Sequence, residues 1–249
     1  MKKILTMAAM ALFMMTSCSD DDSTSNNNNN TDNVLLKKTI IQSGEGTITS
    51  NYTYNGTKLV KITGSDGSSS EYFYTGDQLT RARHFGPDLD QEDFYTYDSQ
   101  GRLTEFLYLS YNVEWGNKNV YTYNQDGTIT VKEYIGDVDS QTQLNDTGTI
   151  TLQNGNITKY DLGNQKYAYT FDSKNSPSKN ITGDAAMTLA FTDGGLNNQL
   201  TYTSTYNGVT EESSVYSYTY NSDNYPVTST EVLSYEDEEE TITTQYFYE

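Results

Sequence analysis

The chain is poor in the residues on which most protein chemistry leans. One cysteine and one histidine in 249 residues exclude a disulfide framework and a structural zinc site, which need several of either. Basic side chains number 15 against 34 acidic ones, a formal charge of −19. Nucleic acid, whose phosphates demand a positive footprint, is thereby excluded as a partner. No apolar run reaches the ~20 residues that a membrane helix needs. Apolar side chains make up 34% of the chain, so any core is thin. Tyrosine is abundant, with 23 copies, and must supply much of that core.

Residues 1–17 are an address. Lys2 and Lys3 form a basic start, Ile4 to Met15 an apolar stretch interrupted only by Thr6, and Thr16-Ser17-Cys18 a small-residue stop. Twelve residues at ~1.5 Å each are too short to cross a ~30 Å hydrocarbon core, which makes this a signal peptide. Five of the six methionines lie inside it. Met15-Thr16-Ser17-Cys18 resembles a bacterial lipobox, and the resemblance implies that Cys18 becomes the acylated N-terminus, a membrane anchor once more than one chain is attached. Residues 18–33 follow as a tether: Ser19, Asp20, Asp21 and Asp22, then Ser/Thr and five asparagines. Such a tract has nothing apolar with which to offset ordering entropy. The Ser-Asp-Asp-Asp string is similar to the acidic export signal of surface-exposed Bacteroidota lipoproteins. This places the protein on the outer membrane, facing outward, with the periplasmic face as the alternative.

From Val34 to Glu249 one unit recurs and defines a single domain. Tyr52-Thr-Tyr-Asn-Gly-Thr-Lys-Leu59, Tyr72-Phe-Tyr-Thr-Gly-Asp-Gln-Leu79, Tyr95-Thr-Tyr-Asp-Ser-Gln-Gly-Arg-Leu103 and Tyr121-Thr-Tyr-Asn-Gln-Asp-Gly-Thr-Ile129 are the clear copies. Weaker ones begin at Leu152, Phe171, Phe191 and Tyr220. Each reads as a β-hairpin. Gly101 and Gly127 sit third in three-residue loops, where a type I turn closes through a left-handed residue. That loop sets Tyr97 opposite Leu103 and Asp98 opposite Arg102. Asn55-Gly56 is the two-residue equivalent and brings Tyr52 opposite Leu59. Alternation then puts Tyr121, Tyr123, Ile129, Val131 and Ile135 on one face, with Thr122, Thr130, Lys132 and Tyr134 on the other. Only Asp184 to Ala190 approaches helical character, over too short a span to carry an element.

About nine copies predict an all-β antiparallel meander of 16–18 strands. Sheets twist and exposed edges invite aggregation, so a meander of that length curls into a barrel or barrel-like sheet. An open single-layer sheet or β-solenoid is the alternative. Lys61, Glu105, Lys132 and Glu133 break both faces, which argues against a lipid-facing band. The Tyr95 to Thr104 string resembles the YD repeat of Rhs and teneurin shells. The whole chain, with its lipobox, acidic tether and degenerate hairpins, is similar to a family of Bacteroidota lipoproteins of unknown function with a porin-like fold. That resemblance implies a large antiparallel barrel and brings no catalytic residues.

Candidate chemistry is sparse. Trp115, the only tryptophan, stands beside Gly116 and near Tyr111 among asparagines, a setting suited to stacking on a sugar. Asp88, Asp90 and Glu92, with Asp93, form an acidic loop that offers oxygen ligands to Ca²⁺ but lacks the glycine kink of a calcium loop. Glu236 to Glu240 read as the tip of the last hairpin. His84, beside Arg81 and Arg83, reads as a surface residue of a basic strand, and the repeated tyrosines as packing. With 34 acids, spacing singles out no carboxylate pair for glycoside hydrolysis. The sequence thus predicts a non-catalytic, cofactor-free binding module for an extracellular glycan or peptide. A structural or assembly protein with a protein partner is the alternative, and a carboxylate-dependent hydrolase stands behind both.

Overall fold

A computed structural model describes residues 34–235 and 238–249. The elements run β1 (Leu36–Ser43), β2 (Gly46–Asn55), β3 (Lys58–Gly64), β4 (Ser69–Thr75), β5 (Gln78–Gly86) and β6 (Leu89–Tyr97). Next come β7 (Leu103–Ser110), β8 (Trp115–Tyr123), β9 (Ile129–Gly136), β10 (Gln141–Gln153), β11 (Asn156–Leu162) and β12 (Gln165–Phe171). A helix, α1 (Asp184–Phe191), precedes β13 (Gln199–Tyr206), β14 (Val209–Tyr220), β15 (Pro226–Tyr235) and β16 (Glu238–Tyr248). Every strand pairs antiparallel with its sequence neighbours, and β1 closes onto β16 to complete a sixteen-stranded barrel.

The turns form for the reasons visible in their residues. Gly101 (φ 78°) and Gly127 (φ 85°) take the left-handed position, and Tyr97 faces Leu103 as the loop length requires. Asp98 fastens its loop by accepting from the Gln100 and Arg102 amides and from the Arg102 guanidinium. One register differs from expectation. The two-residue loop is Gly56-Thr57, so Asn55 faces Lys58, Tyr54 faces Leu59, and Tyr52 faces Ile62 rather than Leu59. The loop is shifted by one residue, and Val60 of β3 is bulged opposite the step from Thr53 to Tyr54. Equivalent register shifts precede Tyr74, Tyr97, Leu152, Phe171 and Tyr220. Bulges bend and over-twist a strand, and here they recur at the barrel end where β1 begins and β16 ends.

The tyrosines at that end do more than pack. Tyr54, Tyr97, Tyr123 and Tyr218 donate their hydroxyls to the carbonyls of Leu36, Leu79, Leu103 and Gln199, at 2.7, 2.7, 2.9 and 2.8 Å. Each acceptor opens or lies beside the opening of a strand in the neighbouring hairpin, so one hairpin is latched to the one before it.

Two of the expected hairpins are absent. Phe171 ends β12 and Phe191 ends α1; the residues between them are an insert that plugs the same end. Ala, Met and Leu make Asp184–Phe191 a competent helix once its apolar side is covered. Ala186, Leu189 and Ala190 join the core of Leu79, Phe106, Val131, Ile150 and Ile157, while Ile181 joins Leu36, Tyr52, Leu59 and Ile62. Thr182 ties the insert to the wall: its amide donates to the Thr57 carbonyl at 2.9 Å, and its own carbonyl accepts from Tyr74.

The faces are sorted. Tyrosine and aliphatic residues point inward. The outside carries threonine ladders and ion pairs, Lys61 with Glu71 and Arg81 and Arg83 with Glu92 along the strands, and Lys166 with Asp161 beside the β11–β12 turn. A membrane-spanning barrel has the reverse arrangement, apolar outside and polar within.

Candidate functional site

Cross-strand register assembles the inner wall into rows. Ser70, His84, Gln91, Ser110 and Trp115 face one another in turn from β4 to β8. The next row toward the plug is Tyr72, Ala82, Asp93, Tyr108 and Asn117. Beyond it lies Tyr95, Phe106, Asn119, Glu133 and Asp146. The first row is polar and ends on an aromatic ring at the open end.

Trp115 begins β8 on the face it shares with Tyr121 and Tyr123, 40% exposed, and its ring meets the Tyr108 ring edge-on at 5.6 Å. Tyr111 lies in the adjoining turn, exposed, its amide bonded to the Asp90 carbonyl. Both candidate residues therefore stand at the mouth, but the ring partner of Trp115 is Tyr108.

His84 is 5% exposed and not a surface residue. The bulge in β5 returns Ala82 and His84 to the inner face and sends Arg81 and Arg83 outward. Ser70 Oγ lies 2.7 Å from His84 Nδ1, and His84 Nε2 lies 2.9 Å from Asp93 Oδ2. Burial pushes the Asp93 carboxyl up, and the hydrogen bond and charge of His84 pull it back. Serine, imidazole and carboxylate stand in the order of an acyl-transfer triad. Such a centre also needs donors aimed at a developing oxyanion. The unpaired donor on this wall is Gln91 Nε2, which lies across His84 from Ser70, about two strand spacings (~9.5 Å) away. The arrangement is a buried polar relay that aligns His84. Asp93 Oδ1 and Asn119 Oδ1 are likewise buried without a partner; the two residues are 0% and 8% exposed.

The proposed calcium loop comes apart. Asp88 occupies the β5–β6 turn, Glu92 pairs with two arginines on the outer face, Asp90 approaches Arg83 at 3.8 Å, and Asp93 points inward. Among the described residues no cluster of three or more His, Cys, Asp or Glu side chains is placed to hold a metal. Glu238 to Glu240 are not in the tip of the last hairpin but lie within β16, paired with Tyr235 to Leu233, while Glu236 and Asp237 lie outside the described residues. Cys18, Ser19, Asp20, Asp21 and Asp22 also lie outside them.

The opposite wall carries carboxylates among tyrosines. Tyr160 donates to Glu133 Oε1 at 2.6 Å, and Ser214 and Tyr216 both donate to Glu231 Oε1 at 2.7 Å. Glu212 is pushed above the usual carboxylate range by burial and by Glu231. Asp193, from the plug, is raised by burial, opposed by the Gly194 amide. Tyr160, Tyr167 and Tyr202 form a stacked series at 5.9 and 6.4 Å. Phe191 packs edge-on against inward-facing Phe106 at 5.2 Å and keeps part of its ring exposed.

Sequence reading missed Gln91, Asn119, Glu133 and Glu231 as site residues, placed Asp93 in an acidic loop and placed His84 on the surface. A signal for part of the set was present: the residue two before each leading tyrosine is Ser50, Ser70, Asp93 or Asn119. Period-two alternation puts that position on the tyrosine face.

No family profile matches the chain, and no curated protein does. Solved structures do. A porin-like protein from Bacteroides uniformis is 15% identical with a TM-score of 0.54, the match covering 86% of this chain and 96% of that one. A porin-like protein from Bacteroides vulgatus is 14% identical with the same TM-score, covering 87% and 99%. The chain has a porin-like fold.

Proposed function

We propose that this is a lipid-anchored outer-membrane protein, displayed on the cell surface, that binds an extracellular glycan or peptide in its lumen without catalysis. The carrying observation is the inner wall behind Trp115, where Gln91, Asp93 and Asn119 hold buried polar atoms without partners. Unpaired buried polar groups cost about 1–3 kcal/mol each, a cost that a ligand's hydrogen bonds remove. Placement favours the same view. Leu35 and Glu249 exchange backbone hydrogen bonds at the plugged end, so a tether from Cys18 enters there and the mouth faces away from the bilayer. The charged outer wall suits a barrel held beside the membrane and not within it.

Titrating the purified protein with a panel of polysaccharides and peptides, read by Trp115 fluorescence and calorimetry, tests the binding role. A saturable heat of binding that is lost in Trp115→Ala supports it, and silence across the panel by both read-outs in the wild type removes it. For the anchor, Cys18→Ala is expected to move the protein from the detergent to the aqueous phase. Protease added to whole cells should degrade the domain, whereas protection would place it on the periplasmic face.

A further inference from the structure

The barrel wall separates charge by sign. The strand carboxylates on the inner face include Asp93, Glu133, Asp146, Glu212 and Glu231, with Glu238 and Glu240 nearer the rim, and the plug adds Asp193. The thirteen lysines and arginines of residues 34–249 all lie elsewhere. They occupy outward strand positions, as Lys61, Arg81, Arg83 and Lys166 do, or the turns and rim, as Arg102 and Lys174 do. The one basic group inside, His84, is engaged by Asp93 and Ser70. A cavity lined by one sign of charge with low-dielectric walls focuses its field on whatever enters.

Hydrogen bonding gives a second, independent indication. Asp93 Oδ1 and Asn119 Oδ1 are unpartnered acceptors on side chains more than nine-tenths buried and on the inner face. Asn119 faces Glu133 directly across the β8–β9 ladder. Glu231 takes two hydroxyls on Oε1, and among the described residues nothing donates to Oε2. On this stretch of wall, among the described residues, the unpartnered oxygens of Asp93, Asn119 and Glu231 outnumber the one unpaired amide donor, Gln91 Nε2. Between the carboxylates stand tyrosine faces, which attract cations through their ring quadrupole. With no metal-ready cluster among the described residues, the matching group is an organic cation rich in N–H donors.

We infer that the lumen recognises an ammonium or guanidinium group, and that its ligand is a lysine- or arginine-bearing peptide. This rests on the lumen-binding function proposed above and narrows it from glycan or peptide to a basic peptide. The test titrates the mature protein with tri-arginine, tri-lysine, side-chain-acetylated tri-lysine, a neutral oligosaccharide panel and CaCl₂. Expected are saturable binding of the two cationic peptides, none of the acetylated one, and affinity that falls as salt rises. Glu231→Gln and Glu133→Gln should each weaken binding about tenfold, equivalent to ~1.4 kcal/mol, with unchanged circular dichroism. Glu71→Gln, on the outer face, should change nothing. An equal loss in Glu71→Gln would reduce the effect to diffuse surface charge and overturn the inference. Calcium binding with the same dependence on Glu133 and Glu231 would also overturn it, in favour of a metal site. Binding of a neutral glycan without the cationic peptides defeats the inference but leaves lumen binding intact, whereas silence from every probe defeats both.

Discussion

At the scale of the residue, tyrosine serves two purposes that phenylalanine would divide. Its ring fills the inner face, and its hydroxyl reaches the carbonyl of the hairpin before. Tyr97→Phe keeps the first and removes the second, leaving the Leu79 carbonyl short of a donor. The expected cost is about 1 kcal/mol, seen as a lower urea midpoint with an unchanged slope, and the same substitution at Tyr134, on the outer face opposite Lys118, should cost less. Asp184 makes a pH-dependent contribution. Burial holds its carboxyl up at about 7, against a hydrogen bond from Ser178 that lowers it. A folded pKa above the unfolded one means stability that is complete below the ordinary carboxylate range near 4 and lost as pH rises through about 7. Asp184→Asn should therefore melt above wild type at pH 8, with the two curves converging by pH 4. Neither role was legible from spacing. The tyrosine pattern shows which face a ring takes, while the hydroxyl's partner depends on a neighbouring hairpin, and His84 changed faces because one bulged residue reverses the alternation.

At the scale of the element, hairpins were legible and the plug was not. Glycine-closed loops such as Asp98 to Arg102 carry their turn chemistry within five residues, so local sequence suffices. The helix has no comparable local signature: it spans eight residues, its preceding Gly183 makes no side-chain cap, and its apolar side is covered only by strands far away in sequence. Phe171 and Phe191 imitate the aromatic anchors of the repeat, which explains why two hairpins were expected where an insert lies. Since Asp172 and Asn198 already share a backbone hydrogen bond, replacing residues 173–197 by Asn-Gly restores a plain hairpin. The strand signature in circular dichroism should survive, while the melting temperature falls and a dye that senses apolar surface binds at Leu36, Ile62 and Phe106. An unaltered melt without dye binding would mean that the insert is not part of the core. Within the wall, Leu79→Ala and Ile150→Ala remove fully buried side chains and should each cost about 2–5 kcal/mol in chemical denaturation.

At the scale of the whole molecule, β1 meets β16, with Leu36 opposite Tyr248, so the first strand made is completed by the last. Sequential hairpins can form as they emerge, each against its predecessor, but one flank of β1 keeps its amides and carbonyls bare until β16 has been made and has docked. Nascent chains thus pass through a stage as a sticky-margined ribbon, open to pairing with a sibling. A chain stopped after Tyr235 is arrested at that stage, and gel filtration should find it in dimers or larger aggregates while the full-length protein elutes as a discrete species. Supplying the missing terminal strand in trans as a synthetic peptide ought to rescue it.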